Sequence, residues 1–259
     1  MEKVFTNWWG LKPGIRELFL TPALRLGLGK AKHLCWALAL VRLLILCGPL
    51  FLTGIIYAQD KKPAFWDDIQ KFKKQDSVKF PGTNKILLVG SSSFTKWTDV
   101  QTYFPAYPIV NRGFGGSTLL DQIRYVKDVV YPYKPKQIII YCGENDLASS
   151  DTLTSKMVYN RFLQFFNLIR TKFPNVSVAF ISLKPSPSRQ LLMGKMREVN
   201  DMVRKFLKTK KQTAFIDVYK DMIDDEGKPM PDIFLDDNLH MNSKGYAIWK
   251  KAMEPYLKK

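Results

Sequence analysis

Four short clusters carry residue types that could do covalent chemistry together. The first is Gly90-Ser91-Ser92-Ser93, three hydroxyls behind a glycine. The second, Asn111-Arg112-Gly113-Phe114-Gly115-Gly116-Ser117, has three glycines in four positions, so backbone N–H groups can approach a ligand without a Cβ in the way. The third is Gly143-Glu144-Asn145-Asp146, whose Asn145 amide can donate to an oxygen gaining negative charge. The fourth, Asp237-Asn238-Leu239-His240, contains the one histidine after residue 33. Hydroxyl chemistry needs a base. His240 is the candidate, and Asp237 three residues earlier could fix its tautomer.

Each cluster alone has an ordinary explanation. Serines near a helix start are commonly caps, and Gly, Asn and Asp favour turns. A lone histidine is by default a surface or satisfied core residue. The glycine loop could cradle a phosphate, but it has neither the dinucleotide fingerprint nor the Lys-Ser/Thr ending of a phosphate loop. It is the combination that carries weight. The alternative is a non-catalytic α/β module that holds an anionic ligand or glycan.

The clusters make sense only if something brings them together. Short apolar runs at Ile86–Val89, Ile109–Val110, Gln137–Tyr141, Val176–Ile181 and Ala214–Asp217 read as strands. Helical periodicity covers Leu119–Val130, Lys156–Lys172 and Leu191–Lys208, and a last helix runs from about Lys244 to Leu257. Alternating strands and helices imply right-handed crossovers and a mainly parallel sheet, whose function collects at the carboxyl ends of the strands. The first three clusters each follow directly on a strand.

In this arrangement the sequence resembles the SGNH hydrolases, also called GDSL-like esterases. Four blocks supply that family's Ser, Gly, Asn and His, and they occur here in order, spanning roughly Lys85 to Leu257. The resemblance implies a three-layer α/β/α domain with a five-stranded parallel sheet in the flavodoxin-like style. It also implies that Ser92 is the nucleophile, that Ser92, Gly116 and Asn145 form the oxyanion hole, and that Asp237 and His240 complete a triad. Ser91 stands where the family usually has aspartate, leaving the first block ambiguous among three adjacent serines. No metal or organic cofactor is expected. The implied activity is hydrolysis of an oxygen ester, with an acetyl or acyl group on carbohydrate or lipid. After the fourth strand, Ser182-Leu183-Lys184-Pro185-Ser186-Pro187-Ser188-Arg189 reaches the same sheet edge. Lys184 or Arg189 could there contact the alcohol side of a substrate.

Composition bounds the rest. With 46% hydrophobic and 13% aromatic residues over 259 positions, the chain can bury one substantial core, which argues against disorder. The formal charge is +17. Seven basic and two acidic residues fall in the first 58 positions, leaving 33 basic against 21 acidic residues, about +12, for the remainder. This excess is scattered and mixed with acids, as a solvated surface would be, and no basic run interleaved with aromatics suggests nucleic acid as a partner. Cys35 and Cys47 precede the domain, so Cys142, behind the apolar run Ile138-Ile139-Ile140-Tyr141, reads as a buried structural thiol.

Residues 1–58 have a separate character. From Leu34 to Ala58 the chain is almost continuously apolar, interrupted by Arg42, preceded by six basic residues and followed by Gln59-Asp60-Lys61-Lys62. This is the layout of an export signal, with cleavage expected after Ala58. The alternative is an uncleaved anchor that associates the protein with a membrane through residues 34–58. Either way the domain would lie outside the cytoplasm, periplasmic or extracellular. Residues 59–84 read as a linker and entry segment to a hydrolase domain over 85–259.

Overall fold

The computed structural model describes residues 62–259. The expected export segment or anchor lies outside the described residues. Among those described, no helix is long and apolar enough to cross a membrane.

Helix α1 (Trp66–Val78) leads into β1 (Ile86–Gly90), and two single-turn helices, α2 (Ser92–Thr95) and α3 (Val100–Tyr103), precede β2 (Ile109–Asn111). Then come α4 (Leu119–Arg124), α5 (Val126–Val129), β3 (Gln137–Tyr141), α6 (Glu144–Ser149) and α7 (Ser155–Lys172). The chain closes with β4 (Ser177–Ile181), α8 (Met193–Lys208), β5 (Thr213–Ile216) and α9 (Ser243–Met253). The strands form one all-parallel sheet in the order β2-β1-β3-β4-β5, with Ile86 paired to both Ile109 and Gln137. This is the flavodoxin-like order, and helices flank the sheet as expected.

Burial explains why the strand signal is so plain. Every residue of β1 and β3 is buried, because a parallel sheet covered on both faces has no wet side and its central strands become continuous apolar runs. The long helices bury one stripe each, Val158, Phe162, Phe165, Phe166 and Ile169 on α7 and Met196, Val199, Val203 and Leu207 on α8. Phe162 meets Phe180 of β4 edge to face at 5.1 Å.

Two stretches differ from the sequence reading. The helix expected over Leu119–Val130 is broken at Tyr125, whose ring packs against Phe114 and whose hydroxyl donates to the Ala64 carbonyl at 2.7 Å. Much of the segment read as a linker is α1, and it is clamped to the sheet. Arg112, just past β2, donates to Asp76 at 2.5 Å and to the Tyr133 hydroxyl at 2.6 Å, and Tyr133 also donates to Asp76. The guanidinium lies 5.1 Å from the Phe72 ring centroid. Pro63–Lys259 forms one compact unit.

Candidate active site

The carboxyl end of β1 is where the first cluster turns. At Gly90 a Cβ would stand 1.9 Å from the Tyr141 carbonyl oxygen, so only glycine lets β1 end this close to β3. The Ser91 N–H then donates to that same carbonyl at 3.2 Å, and the Ser91 carbonyl starts α2 by accepting from Phe94 and Thr95. Ser91 and Ser93 are buried, each 4% exposed, while Ser92 is partly open. The Ser93 carbonyl is fixed from α9 by the Tyr246 hydroxyl at 2.9 Å. Of the three adjacent serines, Ser92 is the one that keeps exposed surface.

The glycine loop after β2 lies against this turn. Asn111 holds it in place, donating to the Phe94 carbonyl at 2.7 Å and accepting from the Gly113 N–H at 3.0 Å. A Cβ on Gly115 would sit 3.8 Å from that of Ser92. Gly116 has φ +82, a left-handed conformation that favours glycine, and turns the chain so that Ser117 points inward. Ser117 is fully buried, with its hydroxyl donating to the Phe114 carbonyl and accepting from Gln122. Among the described residues no acceptor takes the N–H of Ser92 or Gly116. Two free amides at one loop junction can serve an anionic oxygen.

The third cluster opens α6. The Asn145 side chain, partly exposed, donates through Nδ2 to the Ser117 carbonyl at 3.1 Å, which leaves its second amide hydrogen free. Its Oδ1 accepts from Arg189 Nη2 at 2.8 Å. The acids on either side are structural. Asp146 is fully buried, takes the Leu119 N–H at 2.9 Å and pairs with Arg161 at 2.8 Å, tying the loop after β2 to the loop after β3. Burial raises its pKa despite those bonds. Glu144 is buried among Lys184, at 3.3 Å to both carboxylate oxygens, Arg189 at 3.1 Å and the Tyr141 hydroxyl. Burial alone would push the Glu144 carboxyl up, but Lys184, Arg189 and Tyr141 outweigh it and hold it below its ordinary range. Burial pushes Lys184 down, and Glu144 works against that.

Lys184 therefore corrects one expectation. It is 1% exposed, with its ammonium on Glu144, so it faces the interior and not a substrate. Arg189 does reach the site, but its guanidinium is engaged by Glu144 and Asn145. Its loop also touches the fourth cluster, since the Ser188 N–H donates to the Asn238 carbonyl at 3.0 Å. Between Leu147–Asp151 and Pro187–Leu192, beside Arg189, lies a cleft of about 620 Å³.

In the fourth cluster the sequence spacing becomes direct contact. Asp237 Oδ2 is 2.6 Å from His240 Nδ1, and its other oxygen accepts the backbone N–H of Leu239 and of His240 at 3.0 and 2.8 Å. Burial would raise the Asp237 carboxyl, but these bonds dominate and hold it far below the usual carboxylate range. With Nδ1 occupied, Nε2 is the working end of the ring, buried and without a partner among the described residues. An imidazole whose Nδ1 is held this way can accept a proton at Nε2. No group of three or more His, Cys, Asp or Glu side chains among the described residues is arranged to hold a metal ion.

Comparison with known proteins gives the family and the fold. The profile of the GDSL-like Lipase/Acylhydrolase family matches residues 85–248. No curated protein is similar enough in sequence to count as a relative. Among solved structures, a proposed acylhydrolase from Bacteroides fragilis is 19% identical, with TM-score 0.65 over 76% of this chain and 97% of the other. A GDSL-like lipase from Bacteroides thetaiotaomicron is 16% identical, with TM-score 0.62 over 73% and 96%. An acetyl xylan esterase from Geobacillus stearothermophilus is also 16% identical, with TM-score 0.53 over 67% and 94%. At such identities these structures speak for the fold.

Proposed function

The chain belongs to the GDSL-like lipase/acylhydrolase family, which makes it a carboxylic ester hydrolase, and we propose that it works through an acyl-enzyme on Ser92. Ser92 Oγ attacks the ester carbonyl while His240 Nε2 takes its proton, and Asp237 steadies the imidazolium. The Ser92 and Gly116 N–H groups and the Asn145 amide receive the oxyanion. Collapse of the tetrahedral species breaks the bond to the alcohol, which leaves with the proton from His240. Water then repeats the sequence on the acyl-enzyme and releases the acid.

The observation that carries this reading is the state of the two reacting groups. Ser92 is the one open hydroxyl of its cluster, and His240 has Nδ1 fixed by a carboxylate and Nε2 unpartnered among the described residues. The substrate of this reading is an acetyl or acyl ester of carbohydrate or lipid. The layout of residues 1–58 supports action outside the cytoplasm, and the mass of exported protein, expected to begin at Gln59, tests that part.

The central test is release of p-nitrophenol from its acetate ester, abolished in Ser92→Ala, with a fluorophosphonate adduct mapped to Ser92. An adduct on Ser91 or Ser93 would overturn the assignment. A panel of acetylated glycans against longer acyl esters then sets the substrate class.

A further inference from the structure

Arg189 lies 44 residues from Asn145 in the chain, yet the two share a hydrogen bond of 2.8 Å. We infer that Arg189 is a positioning residue for the oxyanion hole, orienting and polarising the Asn145 amide, rather than a contact to substrate. The inference rests on the esterase reading above.

An asparagine amide is nearly symmetric in shape, and nothing in its own rotamer decides which end carries the donors. Its neighbours decide here. Arg189 has only donors, so it can face only Oδ1; the Ser117 carbonyl only accepts, so it can face only Nδ2. With both ends specified, the second Nδ2 hydrogen has one available direction. The bond is also charge-assisted: a cation on Oδ1 draws electron density from the amide and makes its N–H groups stronger donors, in the cooperative sense expected of linked hydrogen bonds at low local dielectric.

The guanidinium can do this only if it is itself held. Glu144 Oε1 fixes Nη1 at 3.1 Å, and Glu144 is held by Lys184 at 3.3 Å and by the Tyr141 hydroxyl. This is a chain of support from the end of β3 and the loop after β4 to a single amide. Arg189 has non-helical backbone angles, φ −122 and ψ 28, where its short helical stretch kinks. The neighbouring Ser188 N–H is bonded to the Asn238 carbonyl, so the same loop is pinned to the segment carrying Asp237 and His240.

The test is a double-mutant cycle on p-nitrophenyl acetate hydrolysis with Arg189→Met, Asn145→Ala and both together, with Arg189→Lys alongside. Arg189→Met should lower kcat about tenfold to a hundredfold with KM within a few-fold, below the roughly 10²–10³ expected for losing the donor itself. In the Asn145→Ala background it should do almost nothing. Arg189→Lys, which keeps a charge without the fork, should fall between the two. Independent losses that multiply in the double variant, or a rise in KM at unchanged kcat, would overturn the inference and return Arg189 to the substrate side. Should Arg189→Met fail to fold by thermal melting, the Arg189→Lys comparison in both backgrounds decides by the same criterion. Failure of the esterase reading would look different, because the wild-type protein would then neither hydrolyse the ester nor take the fluorophosphonate label.

Discussion

The two sides of the proposed site are held by different physics. The base side is local, with an exposed carboxylate. Asp237 and His240 are three residues apart, the Asp237 side chain is 45% exposed, and its carboxylate is satisfied by groups of its own turn. The oxyanion side is drawn from distant parts of the chain. Asn145 is aligned by Ser117, 28 residues away, and by Arg189, 44 away, over a buried cluster of Glu144, Lys184 and Tyr141. A histidine acting as a base needs a fixed tautomer and a free Nε2, which one neighbouring carboxylate can supply. An amide acting as an electrostatic donor must be preoriented to within tenths of an ångström, and that takes support from several elements.

The comparison predicts a division between turnover and stability, and the base side should show the greatest loss of turnover. His240→Ala should reduce kcat by about 10⁴-fold or more, and a Ser92→Ala, His240→Ala double variant should be little worse than either alone, because the two act as a unit. The melting temperature should hardly move. The depressed Asp237 carboxyl should stay ionised, and keep its hold on the ring, well below the ordinary carboxylate range. Near-normal turnover in His240→Ala would break the comparison at its stronger end.

The same contrast explains how much was legible in the sequence. Asp237 and His240 could be paired because their contact spans three positions, and the strands could be drawn because burial on both faces writes them as continuous apolar runs. Helix α1 was missed for the opposite reason: Ile69 is its one fully buried residue, so no apolar stripe marks it. Lys184 and Arg189 could be seen as cations on a loop at the right sheet edge, but not as partners of Glu144, since nothing in the spacing of residues 144 and 184 foretells a buried pair. Glu144 and Asp146 flank the one asparagine the family resemblance singles out, and only the fold reveals that both hold the loop in place.

On the oxyanion side, Asn145→Ala should cost about 10²–10³ in kcat with KM within a few-fold, since the amide matters once charge gathers on the substrate oxygen. Its Ser117 and Arg189 partners would be left unmatched, so a small loss of stability should accompany the kinetic one. A variant that only binds more weakly would make Asn145 a substrate contact.

The smallest effect on turnover and the largest on stability should come from Glu144→Gln. The substitution leaves the Lys184 ammonium, 1% exposed, without its counter-ion, and breaking such a buried pair costs about 3–5 kcal/mol. Turnover should fall only as far as Arg189 loosens its hold on Asn145. The pH dependence separates this variant from a general loss of packing. In the wild-type protein the Glu144 carboxyl is depressed, so its contribution is present above the unfolded carboxyl value of about 4.3 and is lost as pH falls through the lower folded value. Glu144→Gln removes that acid-side loss. It also removes the group that opposed the downward shift of Lys184, so the ammonium is depressed further below its unfolded value of about 10.4. The unfolded chain then binds more protons than the folded one across the interval between the two values, and stability must rise with pH through it. Urea denaturation from acid to alkaline pH should therefore show the variant recovering stability on the alkaline side more than the wild type does. Parallel stability curves for the two proteins would mean that Glu144 and Lys184 do not act as a charged pair, and the oxyanion side would then rest on Ser117 and Arg189 alone.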